Sequence, residues 1–95
     1  MVISTVAEDH IRRVYSELVH KIRPHDVANH MYQDGALEQT ELNEIQNKCS
    51  YNDVAAAEFL LNIVIARPLH VYDSLLQALQ KTDQIEAYLL LTYEG

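Results

Sequence analysis

The chain has 95 residues, 48% of them hydrophobic, and carries 7 Lys and Arg against 14 Asp and Glu, for a formal net charge of −7. A chain of this length closes one hydrophobic core, so we expect a single domain over residues 1–95. The acidic balance argues against nucleic acid as a partner, because phosphates require clustered Lys and Arg. No apolar run approaches the roughly 18 to 20 residues of a membrane span, which argues against a membrane protein.

Two features predict a cytoplasmic location. No basic segment precedes the mildly apolar start of the chain, so a secretory signal is not expected. The single cysteine, Cys49, cannot form an internal disulfide. Two glycines and two prolines leave little material for tight hairpins, and helix-forming residues are abundant, so the chain is predicted to be all-α.

The first predicted helix runs from about Thr5 to Ile22. Apolar residues recur there at spacings of three and four, which is typical of one face of an amphipathic helix. That face consists of Ile11, Val14, Leu18 and Ile22. Pro24 ends the helix, since proline disfavours the α conformation of the residue before it and donates no backbone hydrogen bond.

The second predicted helix is short and begins with Asp26 as its N-cap. Val27 and Met31 face inward. Gly35 is expected to end the helix in the left-handed conformation, which costs glycine almost nothing. Leu37 then returns to the core.

The third predicted helix takes Thr40 as its N-cap and places Glu41 in its first turn, where the helix dipole favours negative charge. Leu42 and Ile45 form a narrow apolar face, and the helix ends near residue 47 or 48.

The fourth predicted helix runs from about Tyr51 to Ala66, with Ser50 and Asp53 in the spacing of a capping box. It is expected to be the most buried element. Its inward face consists of Ala55, Ala56, Phe59, Leu60, Ile63 and Val64. Phe59→Ala is accordingly expected to cost roughly 3 to 5 kcal/mol.

Two more helices complete the pattern. The fifth has Pro68 in its first turn and ends near Gln80, and its inward residues are Val71, Tyr72, Leu75, Leu76 and Leu79. The sixth begins with Thr82 as its cap and turns Ile85 and Leu89 inward. The connections are only a few residues long, which favours antiparallel neighbours and hence a compact six-helix bundle.

The order of these patterns resembles the caspase recruitment domain (CARD), a branch of the death-domain superfamily, over nearly the whole chain. The resemblance is carried by Met31-x-x-Asp34-Gly35-x-Leu37, by Glu41 and Ile45, by Ala57-x-x-Leu60-Leu61-x-x-Val64, by Tyr72-x-x-Leu75-Leu76-x-x-Leu79 and by Ala87-x-x-Leu90. It implies a six-helix antiparallel Greek-key bundle, the death fold, often with a kinked or split first helix. It also implies homotypic protein binding in apoptotic or innate immune signalling, and no enzymatic activity.

Two segments narrow the resemblance. His30-Met31-x-x-Asp34-Gly35 and the ending Tyr93-Glu94-Gly95 look most like the CARD of apoptotic protease-activating factors, which recruit an initiator caspase. Such a CARD usually lies at the N-terminus of a larger protein, so residues 1–95 are open to being a fragment of a longer chain.

In the best-known binding mode that the resemblance implies, an acidic patch on helices two and three of one CARD meets a basic patch on helices one and four of another. Between Arg23 and Lys48 the chain has no Lys or Arg. The acidic patch predicted there consists of Asp26, Asp34, Glu38, Glu41 and Glu44, with Asn29 and Tyr32 as neutral accessory contacts. An ordinary solvated face is the alternative interpretation.

The basic patch departs from the family pattern. Arg12 and Arg13 are candidates for a second, basic surface, but no Lys or Arg occurs from Cys49 to Ala66. Lys21 and Arg67 are further candidates to restore it in part. The sequence therefore favours a role as the acidic acceptor over strong self-association.

The predicted partner is another CARD, basic in charge, from an initiator caspase or an adaptor. We expect a monomer in isolation and a helical oligomer in the complex, because head-to-tail contacts repeat. We predict no metal and no cofactor, since the five histidines lack ligand spacing. The alternative function is a helical structural or dimerisation domain that uses an apolar interface.

Overall fold

The computed structural model describes residues 3–92, which form seven α-helices and no strand. The helices are α1 (Ile3–Arg13), α2 (Tyr15–Lys21), α3 (Pro24–Gln33), α4 (Gln39–Cys49), α5 (Asp53–Ile65), α6 (Leu69–Lys81) and α7 (Ile85–Thr92). The prediction of an all-α chain is confirmed. The subfamily segment at residues 93–95 lies outside the described residues.

The seventh helix arises because the first predicted helix is two helices. Val14 leaves the helical conformation, with φ −118° and ψ 16°, and its amide bonds to the Ile11 carbonyl three residues back. Ile11 on α1 and Leu18 on α2 are nevertheless both fully buried, as the spacing predicts. The break keeps both apolar faces on the core, and it is the split that the family resemblance implied.

The start of α3 differs from the prediction. Pro24 occupies the first helical position and Arg23 is the N-cap, so Asp26 lies within the first turn rather than capping it. Proline is well suited to this position because its missing amide would have no partner there.

The end of α3 confirms the role of Gly35, whose φ is 83°. The Gly35 amide bonds to the Tyr32 carbonyl at 3.0 Å, and the Ala36 amide bonds to the Met31 carbonyl at 2.9 Å. This pair of hydrogen bonds is the Schellman motif, which satisfies the last carbonyls of a helix. The chain then turns back and Leu37 is buried.

The N-caps of α4 and α5 each lie two residues from those predicted. Glu38, not Thr40, is the N-cap of α4 and forms a reciprocal capping box with Glu41. Asn52 caps α5 by accepting from the amides of Val54 and Ala55 at 3.0 and 3.1 Å. Several neighbouring residues can cap a helix, so the sequence alone did not select among them.

Helix α5 lies at the centre of the bundle and packs against α1, α2, α3, α4 and α6. Its buried residues are Ala56, Ala57, Leu60, Leu61 and Val64, whereas Ala55, Phe59 and Ile63 are only half-buried. The central position agrees with the prediction, but the buried face is rotated. A helix with so many apolar residues has no single apolar stripe to set its orientation.

Helix α7 begins later than predicted. Thr82 ends α6, its hydroxyl bonding to the Ala78 carbonyl at 2.6 Å, and Asp83 adopts a positive φ of 63°. The prediction that Ile85 and Leu89 pack inward is wrong, since they are 44% and 51% exposed. Ala87 and Leu91 are buried in their place.

The buried side chain of Gln84 explains this orientation. Its Oε1 accepts the Arg23 amide at 2.6 Å, and its Nε2 donates to the Thr82 hydroxyl at 2.7 Å. These bonds join the start of α7 to the start of α3. They set the rotation of a helix that is apolar on nearly all sides.

Candidate protein-binding surface

Helices α3 and α4 pack side by side, and side-chain hydrogen bonds connect their outer faces. Gln46 donates to Asn29 at 3.2 Å, and the Tyr32 hydroxyl donates to Gln39 at 2.7 Å. We call the region the α3/α4 surface; it comprises Asn29, Tyr32, Asp34, Glu38, Gln39 and Gln46.

Asp34 and Glu38 lie four residues apart in the connection between α3 and α4, and both are exposed. Neither takes part in an ion pair with another residue of the described chain. The Glu38 carboxylate accepts a backbone amide in the capping box, which leaves its charge in place. Both carboxylates present negative charge to solvent, and that of Glu38 also lies close enough to the Arg67 guanidinium to raise the pKa of Arg67.

Asp26 and Glu44 are exposed but are paired within their own helical segments. Arg23 Nε lies 3.3 Å from the Asp26 carboxylate, and Lys48 Nζ lies 3.4 Å from that of Glu44. Exposed pairs of this kind are weak and readily exchanged. Their cations nevertheless reduce the negative potential at both ends of the predicted patch.

Glu41 differs from the other four acidic residues because its side chain is only 15% exposed. Both terminal nitrogens of Arg67 bond to its carboxylate, and the Glu38 amide bonds to its Oε1 at 2.9 Å. Burial disfavours the carboxylate, but the hydrogen bonds from Arg67 and Glu38 and the charge of Arg67 outweigh it. The pKa of Glu41 is therefore lowered, which favours the ionised carboxylate. Its negative charge is balanced within the molecule by the positive charge of Arg67.

The neutral accessory residues are part of a larger array of amides. Asn29 Nδ2 lies 3.4 Å from His25 Nδ1, in addition to its bond with Gln46. Gln39 donates to Asn43 at 3.1 Å while accepting from Tyr32. Gln39 and Gln46 were not found from the sequence, since a search for charge overlooks amides, although their spacing on one helix could have indicated a shared face.

The candidate basic surface is mixed in charge. Arg12 on α1 pairs with Glu8 at 2.7 Å, while Arg13 is exposed and forms no ion pair within residues 8–92. Burial raises the pKa of Tyr15, and the negative charge of Glu58 raises it further against the opposing effect of Arg12. Tyr15, Glu58 and Arg12 therefore lie near one another, so an acidic residue stands where the family pattern expects cations.

The other two candidate cations are engaged elsewhere. Lys21 pairs with Glu86 of α7 at 3.5 Å, and Arg67 pairs with Glu41. The partly buried pair commits Arg67 to Glu41, whereas the pair of Lys21 is solvated and weak.

Comparison with known protein families identifies the family to which this helical bundle belongs. A family model described as caspase recruitment domain matches residues 5–94. The chain belongs to the CARD family. This match confirms the resemblance found in the sequence, and the family is one of homotypic protein-interaction domains in signalling rather than of catalysts. Neither the curated proteins nor the solved structures contain a significant match.

The described part of this CARD contains no cluster of three or more side chains able to hold a metal ion. Burial raises the pKa of the Cys49 thiol, and Asp53 raises it further, against a hydrogen bond from the His25 backbone. The thiol is thus held in its protonated, weakly nucleophilic form. None of the helices within residues 3–92 has the length and apolar character needed to cross a bilayer.

Proposed function

We propose that this CARD recruits a basic CARD, from an initiator caspase or an adaptor, by docking it on the α3/α4 surface. The observation that carries the proposal is the pair Asp34 and Glu38, exposed and unpaired among the described residues. No Lys or Arg occurs in the sequence between Arg23 and Lys48, and the cation that the fold brings near Glu38 is Arg67, which pairs with Glu41. Complementary charge of this kind steers and orients a partner.

The distribution of cations supports an acceptor role. Five of the seven Lys and Arg residues take part in ion pairs within the described chain: Arg12, Lys21, Arg23, Lys48 and Arg67. Each of these cations stands beside a negative charge of its own chain, which weakens its attraction for the acidic surface of a second copy. A separate protein with a basic surface is therefore the better partner for Asp34 and Glu38.

The proposed cellular context is a cytoplasmic death or innate immune complex. The resemblance to the CARD of apoptotic protease-activating factors favours an initiator caspase as the partner. Contacts between two different surfaces of a domain repeat head to tail, so a helical oligomer would form only in the complex.

The test compares two charge reversals that change the net charge equally. Asp34→Lys alters the α3/α4 surface, whereas Glu17→Lys alters an exposed site on α2, which does not pack against α3 or α4 in the described chain. We expect Asp34→Lys to weaken binding of a basic CARD about tenfold or more and Glu17→Lys to change it about twofold at most. Added salt should weaken binding of the unmodified protein.

Calorimetric titration or fluorescence anisotropy would supply these affinities, and circular dichroism would verify that both variants keep their helices. Equal effects of the two reversals would show that only net charge matters and would reject the α3/α4 surface as the docking site.

A further inference from the structure

An apolar groove of about 500 Å³ lies between α2 and α7. It is lined by Val14, Lys21, Glu86, Leu89 and Leu90. A second, smaller cavity of about 260 Å³ shares Lys21 and Glu86 with it and continues to the start of α7. The two cavities adjoin at these shared residues, and we call them together the α2/α7 groove.

The α2/α7 groove exposes aliphatic side chains. Ile85 and Leu89 are four residues apart on α7 and so lie on the same face of the helix. The other large hydrophobic residues exposed in residues 8–92 are Tyr32 and Tyr51, which carry hydroxyl groups. A helix face that leaves aliphatic residues uncovered beside a groove is typical of a protein interface.

The charges of the α2/α7 groove are balanced, in contrast to the net charge of −7 on the chain. Lys21 projects from α2 and Glu86 from α7, with their charged atoms 3.5 Å apart across the groove. Arg23 and Asp83 line the continuation at the start of α7. Two cations thus face two anions, so a second acidic chain can approach here without the repulsion it would meet at Asp34 and Glu38.

We propose that the occupant of the α2/α7 groove is a second copy of this chain, docked about a two-fold axis that runs along the groove. Such an axis places Lys21 of each copy opposite Glu86 of the other, because the two residues stand on opposite walls. A two-fold interface requires a self-complementary patch of this kind. Leu89 of each copy then covers the apolar floor of the other.

Dimerisation would replace the Lys21–Glu86 pair within each copy by the same pair between copies, and this replacement costs little free energy. Glu86 is 83% exposed and its pair with Lys21 is solvated, so replacing an internal pair by an intermolecular one is nearly neutral. The apolar area is small, so the dimer is weak, with a Kd of about 0.1 to 1 mM. The chain remains a monomer at micromolar concentration.

The α2/α7 groove is separate from the α3/α4 surface, so dimerisation would affect how a basic CARD is recruited. Within residues 3–92, α7 packs on α1, α2 and α6 and makes no helix-to-helix contact with α3 or α4. The α3/α4 surfaces of both copies stay open, so a dimer offers two docking surfaces and gains avidity. This consequence rests on the proposed function, whereas the dimer itself does not.

The first experiment is sedimentation velocity over a concentration series of the unmodified chain, Leu89→Ser and Tyr51→Ser. Tyr51 is 72% exposed and lies on the turn between α4 and α5. Tyr51→Ser is therefore the matched control, because it removes exposed apolar area away from the groove. We expect the unmodified chain and Tyr51→Ser to dimerise alike and Leu89→Ser to weaken the dimer about fivefold or more. A chain that stays monomeric at about 1 mM, or two variants with equal effects, would overturn the proposal.

The second experiment tests the two-fold arrangement by charge exchange. Lys21→Glu and Glu86→Lys should each weaken the dimer about fivefold, and the double variant should restore it. No restoration would overturn the proposed symmetry. Binding of an unrelated amphipathic helix to a groove that never self-associates would assign it to a foreign partner and likewise reject the second copy.

Affinity for a basic CARD is measured on the same variants at micromolar concentration, where the chain is monomeric. Loss of dimerisation with that affinity unchanged would separate the α2/α7 groove from the α3/α4 surface. Failure of one proposal is thereby distinguished from failure of the other.

Discussion

Arg67, in the connection between α5 and α6, donates to Glu41, in the first turn of α4, from both terminal nitrogens of its guanidinium group. The same carboxylate accepts the Glu38 amide and so completes the capping box of α4. The hydrogen bonds that Arg67 donates to Glu41 raise the pKa of Arg67 above its already high ordinary value, so the cation is permanent. One carboxylate thus caps a helix and holds it to a segment 26 residues away.

Removal of either member of this pair is expected to destabilise the fold. Glu41→Ala and Arg67→Ala should each lower the free energy of unfolding by about 1 to 3 kcal/mol, because each leaves a partly buried charge without its partner. The double variant should cost less than the sum of the two. Urea denaturation measures all three.

Glu44→Ala is the control for this pair, since Glu44 is an exposed residue of the same helix paired only with Lys48. Its cost should stay below about 0.5 kcal/mol. If Glu41→Ala lowers the free energy of unfolding no more than Glu44→Ala does, the pair with Arg67 does not stabilise the protein.

The pH dependence of stability should report the same carboxylate. The pKa of Glu41 is lowered in the folded state, so the unfolded state binds the proton more readily in acid. The stabilisation is complete above the ordinary pKa of 4.5 and is lost as the pH falls through the lower folded value. Thermal unfolding of Glu41→Gln should depend less on pH below 4.5 than that of the unmodified chain; identical profiles would contradict the assignment.

The burial of neighbouring residues on α5 predicts which of two substitutions destabilises the protein more. Leu60 is fully buried, so Leu60→Ala should cost about 2 to 5 kcal/mol through lost contacts and the cavity left behind. Phe59 is only half-buried and packs at the edge of the core, with Lys48 Nζ 5.4 Å from its ring centre. Phe59→Ala should therefore cost less than Leu60→Ala, and the reverse order in denaturant unfolding would refute this view of the core.

Gly35 offers a test of backbone strain. Its φ of 83° is unfavourable for residues with a β-carbon, yet an added β-carbon would meet no atom within 4 Å. Gly35→Ala should therefore lower the free energy of unfolding by about 1 to 2 kcal/mol through conformation alone. Gly35→Asn should cost less, because asparagine tolerates this region, and calorimetric melting of both variants would reveal whether it does.

The structure also revises which charge reversals are informative for binding. A reversal at Glu41 would break the pair with Arg67 and perturb α4, so lost binding would not distinguish docking from stability. Asp34 forms no ion pair within residues 8–92 and is the better probe. The sequence placed both residues in one patch, since it shows the sign of a charge but not the partner folded against it.

Features read from the sequence were sufficient to predict the all-helical class, the order of the helices, the helix end at Gly35 and membership of the CARD family. These predictions depend on the local periodicity of apolar residues, on the backbone conformations open to single residues such as glycine, and on the order of short motifs. All three are local features that can be read from the sequence. The pairing of Glu41 with Arg67 and the exposure of Ile85 and Leu89 could not be predicted in this way and became evident from the packing of the helices. Both outcomes depend on contacts between distant residues, Arg67 with Glu41 and Gln84 with Arg23, and such contacts exist only once the helices have packed.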